Sequence, residues 1–529
     1  MLKTGWTTRK RLVVVACLAT SIGALRGLSQ ERAKPAARAD GRPTERAPLY
    51  LGVSVCADCH KREKPLENPD LPPLCRCTEN IIWETRDKHR DAYDVLTKGN
   101  PRGELAQRMG KLLGIEDVAK SRDCLACHGV YIKDEKYTDK SFKPTDGVSC
   151  VICHGPYENW IDEHGSSVPR KRERWRTYSR EKKESEFGMT DLWDPARRTK
   201  MCVSCHVGSA DEGKFVTHAM YAAGHPPLPG IELASFSDQM PRHWEYLREK
   251  SREVQRILGS NPTTDRHEQL QLVAVSSLET LRQSMNLLAA QAEKCTSAKD
   301  ADDKALDLAN FDCYACHHDL KSPSWRQQRG YVGKPGRPQM RPWPVSLAKV
   351  TAEELLQKEQ ACKTLDSGLK GLYQAFSAQP FGNCPEIATA ARALASQLDQ
   401  WIGELTKNRS LYDQSAALRI LRKLCATGEQ DILDYDSARQ IAWAFDVIYR
   451  EWKSSEKDGD QRIAEIVSSL KRELQLDLPQ KSARPEPTEK APISRALPES
   501  LLKINEYDPD KFKKAFKKIS DLLPARATG

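Results

Sequence analysis

The sequence predicts a mostly α-helical protein in two unlike parts, a loop-rich region that holds the chemistry and a helical bundle behind it. Three observations predict this. All twelve histidines and every paired-cysteine motif fall between residues 49 and 345. That stretch is interrupted throughout by Gly and Pro, which break regular elements. Residues 346–475 contain no His and carry apolar residues at spacings of three and four, the signature of amphipathic helices.

A chain of 529 residues has room for two or three domains. Its hydrophobic share is 39% and its charged share 29%, a lean apolar inventory that suits a polypeptide packed around a cofactor. The formal charge of +10 does not point to nucleic acid. Lys3, Arg9, Lys10 and Arg11 sit in the N-terminal segment, and no basic run is interleaved with aromatics.

Residues 1–28 read as an export signal. The four basic residues form its positive start and Leu12 to Leu25 its apolar stretch, too short for an ordinary membrane span. The sequence around Ala24, Arg26 and Gly27 is a poor cleavage box, so an uncleaved anchor, with membrane association through the N-terminus, is the other reading. Val14-Val15-Ala16-Cys17 weakly resembles a lipoprotein box, but the apolar run continues past the Cys. The expected location is periplasmic or otherwise extracytoplasmic. Residues 29–48, rich in Ala, Pro and Arg, form a linker.

Within 49–345 a helical hairpin is expected at about 244–300. One helix follows His243, and the other carries Leu270, Ala274, Leu278, Leu281, Met285 and Leu288 on one face. In the bundle at 346–475 the clearest stripes are Ile387, Ala391, Leu394, Leu398, Trp401 and Leu405, then Ile463, Ile466, Val467, Leu470 and Leu474. Residues 476–498 are a Pro- and Lys-bearing linker. Residues 499–529 carry a short basic helix near Pro509 to Leu523.

The chemistry lies in five copies of Cys-x-x-Cys-His: Cys56-Cys59-His60, Cys124-Cys127-His128, Cys150-Cys153-His154, Cys202-Cys205-His206 and Cys313-Cys316-His317. Two thiols at this spacing reach the two vinyl groups of one haem, and the His that follows meets the iron. Composition alone would give roughly 0.01 copies. Zinc ribbons explain paired Cys but not a His after every pair, and a disulfide framework explains neither. Residues 49–345 are therefore expected to be a pentahaem cytochrome c domain with five covalently bound haem c groups.

Seven His lie outside the motifs, enough to fill the far side of all five irons. His89, His164, His218, His225 and His243 are the candidate distal ligands. His218 and His225 are seven residues apart and share a face if the segment is helical, with Pro226 ending the helix at His225. His318 adjoins His317 and cannot reach the far face of the same haem, which leaves ligation of a neighbouring haem as its other reading. His267 lies among Asp265, Arg266 and Glu268 and reads as a surface residue. Met189, Met220 and Met240 read as packing residues. Ligation mainly by His implies low potentials.

Several segments resemble the cytochrome c-554-like multihaem family. They are Gly147-Val148-Ser149 before the third motif, Gly155-Pro156 after it, His218-Ala219-Met220 with Ala223-Gly224-His225-Pro226, Pro241-Arg242-His243-Trp244, and Cys316-His317-His318-Asp319-Leu320 with Ser324-Trp325-Arg326-Gln327. The resemblance covers roughly residues 50–345 and stops short of the bundle. It implies closely packed haems in a helical, loop-rich fold and periplasmic electron transfer. Haem-packing motifs relate that family to pentahaem nitrite reductases and hydroxylamine oxidoreductases. The Cys-x-x-Cys-Lys typical of the nitrite reductases is missing here: Cys362-Lys363 is preceded by Glu359, not Cys. The haem count also differs from that of the tetrahaem namesake.

Six further cysteines follow the N-terminal segment: Cys75, Cys77, Cys295, Cys362, Cys384 and Cys425. If 352–377 is one helix, Cys362 is too far from its end to reach Cys384. In an up-down-up arrangement Cys425 returns beside Cys384, which makes Cys384–Cys425 the expected bridge. Cys75-Arg76-Cys77 suits a redox-active pair, a metal site, a bridge elsewhere or free thiols alike.

The expected function is electron transfer between redox protein partners, whose identity the sequence does not give. The alternative is a haem oxidoreductase acting on a small nitrogen or sulfur species at one haem with an open axial position. Catalytic residues are unassigned, and the bundle offers a surface for a partner or for oligomer formation.

Overall fold

The computed structural model describes residues 49–65, 75–156, 160–166, 168–260, 267–299, 304–330, 333–356, 358–430, 432–454, 460–478 and 504–524. The expected export signal, Cys17, the linker at 29–48 and most of the linker at 476–498 lie outside these residues. Among the described residues the protein is helical. It contains no strand, only isolated bridges at Tyr50–Thr138, Ser209–Lys214 and Phe311–Met340. No helix among them is long and apolar enough to cross a membrane.

The cysteine motifs sit on short helices. Val53–His60, Arg122–His128, Cys150–His154 and Pro195–His206 each end on a motif His, and the fifth motif begins on the 3₁₀ turn Cys313–Ala315. One helical turn brings residues i and i+3 to the same side, so both thiols of a pair face one way. Local sequence stops these helices early. Gly155, at φ 85, ends the third, and a side chain there would run into the Gly188 carbonyl at 2.7 Å. Asp194 starts the fourth by accepting from the Arg197 N–H at 2.9 Å, with Pro195 in the first turn.

The expected hairpin is an unequal pair: a six-residue helix, Arg252–Ile257, and a thirty-residue helix, Glu268–Ser297. The long helix does not fold back on the short one. It packs most extensively on Cys384–Lys407 and is a central member of the bundle. The two run antiparallel, as shown by Glu293 paired with Arg392 at 2.8 Å and Arg282 with Asp399 at 3.4 Å. A stripe six residues deep needs an apolar partner of similar length, and only the bundle supplies one. The carboxylate of Glu451, on the helix Tyr435–Ser454, accepts the first backbone N–H groups, those of Gln269 and Leu270, each at 2.9 Å.

The disulfide joins Cys295 to Cys384, with Cα atoms 6.2 Å apart. This corrects the expected Cys384–Cys425 bridge; Cys425 is a buried free thiol. The antiparallel pairing brings the end of one long helix to the start of the other, so Cys295 reaches Cys384 first. The segment expected as one helix over 352–377 is split between Trp343–Leu355 and Lys358–Ser377.

Every residue of the first predicted stripe, Ile387 to Leu405, is buried, as are Ile463, Val467, Leu470 and Leu474. The C-terminal helix Pro509–Leu522 buries Phe512, Phe516 and Ile519 against the helix Gln414–Gly428. The bundle core runs without a break into the cysteine-rich region: Val203, Ile231 and Phe236 belong to it, and Phe236 lies between the rings of Trp443 and His206. The bundle is thus the wall against which the fourth motif is set.

Candidate haem-binding site

Each of four motif histidines faces one histidine from outside the motifs. Ring centres are 5.9 Å apart for His60 and His164, 6.3 Å for His206 and His89, 6.3 Å for His128 and His225, and 6.4 Å for His317 and His218. The spacing is informative. A metal about 2.0 Å from each of two opposed imidazole nitrogens, which lie about 1.2 Å from their ring centres, sets those centres ~6.4 Å apart. Direct ring packing gives comparable values for one contact at a time, but does not explain why every pair contains one motif His and one other. His154 and His243 are the remaining motif and candidate histidines. They lie within electrostatic reach of each other, and their buried Nδ1 atoms have no hydrogen-bond partner among the described residues. The four facing pairs fit the spacing of a haem iron, and a motif cysteine pair lies beside each.

Four of the rings are oriented through Nδ1, which leaves Nε2 for a metal. His60 Nδ1 meets Glu79 Oε2 at 2.7 Å and His89 Nδ1 meets Asp87 Oδ1 at 3.0 Å. His128 Nδ1 donates to the Ala92 carbonyl at 3.0 Å, and His225 Nδ1 to that of Pro226 at 2.7 Å. His164 is held instead by aromatic faces, Trp160 at 5.4 Å and Trp175 at 5.5 Å.

Electrostatics follow these partners. The bond to Glu79 raises the His60 pKa. Burial would raise Glu79, but His60 and nearby backbone N–H groups hold it below the usual range. Burial would lower His89, yet Asp87 raises it. Burial pushes His154, His164 and His206 down to about 4.

Glu79 and Asp87 were not singled out from the sequence. Asp87 is two residues from His89, a local pattern that could have flagged it. Glu79 is nineteen residues from His60 and gives no local signal. His218 and His225 do not share a helix face. The helix His218–Ala223 ends at Gly224, φ 116, so the two rings diverge to different motif histidines. His267, read as a surface residue, is buried, because the long helix that it precedes is covered on nearly all sides. His318 bonds the Asp319 carbonyl at 2.8 Å and joins none of the pairs. Met189 packs with the cluster around Val151, Trp160 and Trp175.

The motifs lie close together. Cys56 of the first is within hydrogen-bonding reach of Cys150 of the third, and Cys127 of the second within reach of Cys205 of the fourth. Cys153 of the third is in electrostatic contact with Cys202 and Cys205. Beside the first motif, the sulfurs of Cys75 and Cys77 and a ring nitrogen of His60 lie within 4.8 Å of one another.

Repeated cysteine pairs with an adjoining histidine, four of which face a second histidine, are the arrangement that covalent haem c attachment requires. Residues 55–155 match the family described as cytochrome c554 and c-prime. Cytochrome c-554 of Nitrosomonas europaea is 30% identical over 135 residues, which cover 23% of this chain and 54% of that protein. The chain thus spans about half the length of that relative. No solved structure matches it. Over these residues the chain is similar to the cytochrome c-554-like proteins.

Proposed function

We propose that the chain is an exported pentahaem cytochrome that relays single electrons between two redox protein partners outside the cytoplasm. The observation that carries this is the pairing of motif and non-motif histidines at the separation one iron requires. In this reading the proximal and distal ligands are His60 with His164, His128 with His225, His154 with His243, His206 with His89, and His317 with His218. The cysteines of each motif anchor the porphyrin, whose iron supplies the one-electron couple. The chain orients His60, His89, His128 and His225 through Nδ1 and keeps water from the buried rings.

Contacts among the cysteines support a spatial order of first, third, fourth and second motif. The fifth adjoins the second. Arg341 lies over the Tyr221 ring at 5.9 Å, Tyr221 meets His225 edge-on, and Arg341 is in electrostatic contact with Cys313. Residues 49–345 then form a relay, and the bundle at 346–475 backs it and offers a docking face.

Two measurements test the reading. Intact mass of protein matured in a host competent for haem attachment should show five added porphyrins. Electron paramagnetic resonance of the oxidised protein should show low-spin ferric haem throughout. A high-spin component in the intact protein would favour the alternative, an oxidoreductase with an open iron position, and polypeptide of unmodified mass would refute both.

A further inference from the structure

The described cysteines divide into ten in the haem motifs, two in the disulfide, and four others. Of those four, Cys362 and Cys425 lie on different helices of the bundle. Cys75 and Cys77 are together, half-buried, with sulfurs 3.8 Å apart. Cys77 holds φ 60, a left-handed conformation uncommon for a residue with a side chain. The loop is fixed in place. The Arg62 N–H donates to the Cys77 carbonyl at 2.9 Å, and Arg76 pairs with Glu245 at 2.9 Å. One carboxylate joins it to the first motif: Glu79 Oε1 accepts the N–H groups of Arg76 at 2.7 Å and Cys77 at 3.2 Å, while Oε2 meets His60.

From this geometry we infer that Cys75 and Cys77 are a redox-active dithiol that exchanges two electrons with the haem relay at the first haem. The inference rests on the pentahaem reading above. Oxidation forms one sulfur–sulfur bond between Cys75 and Cys77 and releases two protons to solvent. The two electrons reduce two ferric haems of the same chain to ferrous, one each, entering beside His60. Reduction runs the same balance backwards. Sulfurs already 3.8 Å apart need only a small closure to bond. A metal site built from the same atoms is disfavoured. In the pentahaem reading His60 is committed through Nε2 to the haem iron, and its Nδ1 is held by Glu79, which leaves two sulfurs and no third free donor among the described residues.

The test uses the full-length, haem-loaded protein. Samples poised fully oxidised and fully reduced are quenched in acid, labelled with N-ethylmaleimide and digested. The peptide carrying Cys75 and Cys77 should be unlabelled and about two mass units lighter than the dithiol when oxidised, and doubly labelled when reduced. In reductive titration the parent should take up two more electrons than Cys75→Ser/Cys77→Ser, at equal haem content by absorbance. Double labelling in both states overturns the inference, as does one equivalent of bound zinc that shields both thiols. The labelling needs only the parent protein, so it decides the matter even if the variant fails to mature. A haem content other than five would sink the pentahaem reading and this inference with it, and absorbance reads that separately from the thiols.

Discussion

Replacing Glu79 by Gln should raise the potential of the first haem by about 50 mV. Glu79 Oε2 lies 2.7 Å from His60 Nδ1, and both side chains are largely shielded from solvent. A hydrogen bond to a charged acceptor exceeds a neutral one by about 1–1.5 kcal/mol. The carboxylate stabilises the ferric state, whose axial imidazole carries more positive charge, over the ferrous. Because 59 mV corresponds to a tenfold change for one electron, the lost preference converts to about 40–60 mV. The amide adds a second loss. Glu79 accepts from donors on both sides, and Gln has one acceptor oxygen to offer, so it cannot serve His60 and the loop together. Spectroelectrochemical titration of parent and variant reads the shift. Asp87→Asn should move the haem ligated by His89 and leave the first in place. The argument is refuted if Glu79→Gln leaves every potential within about 10 mV, or lowers the first.

Other expectations concern ligation, stability and acid. His164→Ala should convert one haem to a high-spin form that binds carbon monoxide, seen by absorbance and paramagnetic resonance, while haem content is unchanged. Cys295→Ser removes a bridge that spans 89 residues and should cost about 2–5 kcal/mol in thermal or denaturant unfolding; an unchanged transition would mean that the bridge does not form. Glu451→Ala strands the N–H groups of Gln269 and Leu270 and should cost about 1–3 kcal/mol, measured by denaturant unfolding with circular dichroism. His154, His164 and His206 stand at about 4 through burial, below the ordinary value of about 6.5. A base depressed in the folded state stabilises fully above that ordinary value. The stabilisation is then lost as pH falls from about 6.5 toward 4. Stability of the haem-free chain in denaturant unfolding should therefore weaken as pH falls from about 6.5 toward 4, and a stability unchanged across that window would contradict the burial argument.

Much of the chemistry was legible because it is local. Cys-x-x-Cys-His packs two thiols and an imidazole into five residues, and one helical turn sets their geometry whatever the rest of the fold does. The stripes over 387–405 and 463–474 were legible for the same reason, since a period near 3.6 is a property of consecutive residues. The placement of Cys295, His225 and Glu79 was not. Sequence assigned the helix 268–297 to the cysteine-rich region by position, whereas burial of its apolar face required the bundle, and that choice settled the disulfide.

By itself, the sequence determined a mostly helical chain and pointed to the class of cofactor and the motif residues proposed to bind it. Only the tertiary structure decided which histidine faces which, which carboxylate tunes a ring, and which cysteines meet. The physical reason is range: helix period and thioether spacing act within a few residues, while pairing a ligand with its opposite is a matter of packing between segments far apart in the chain.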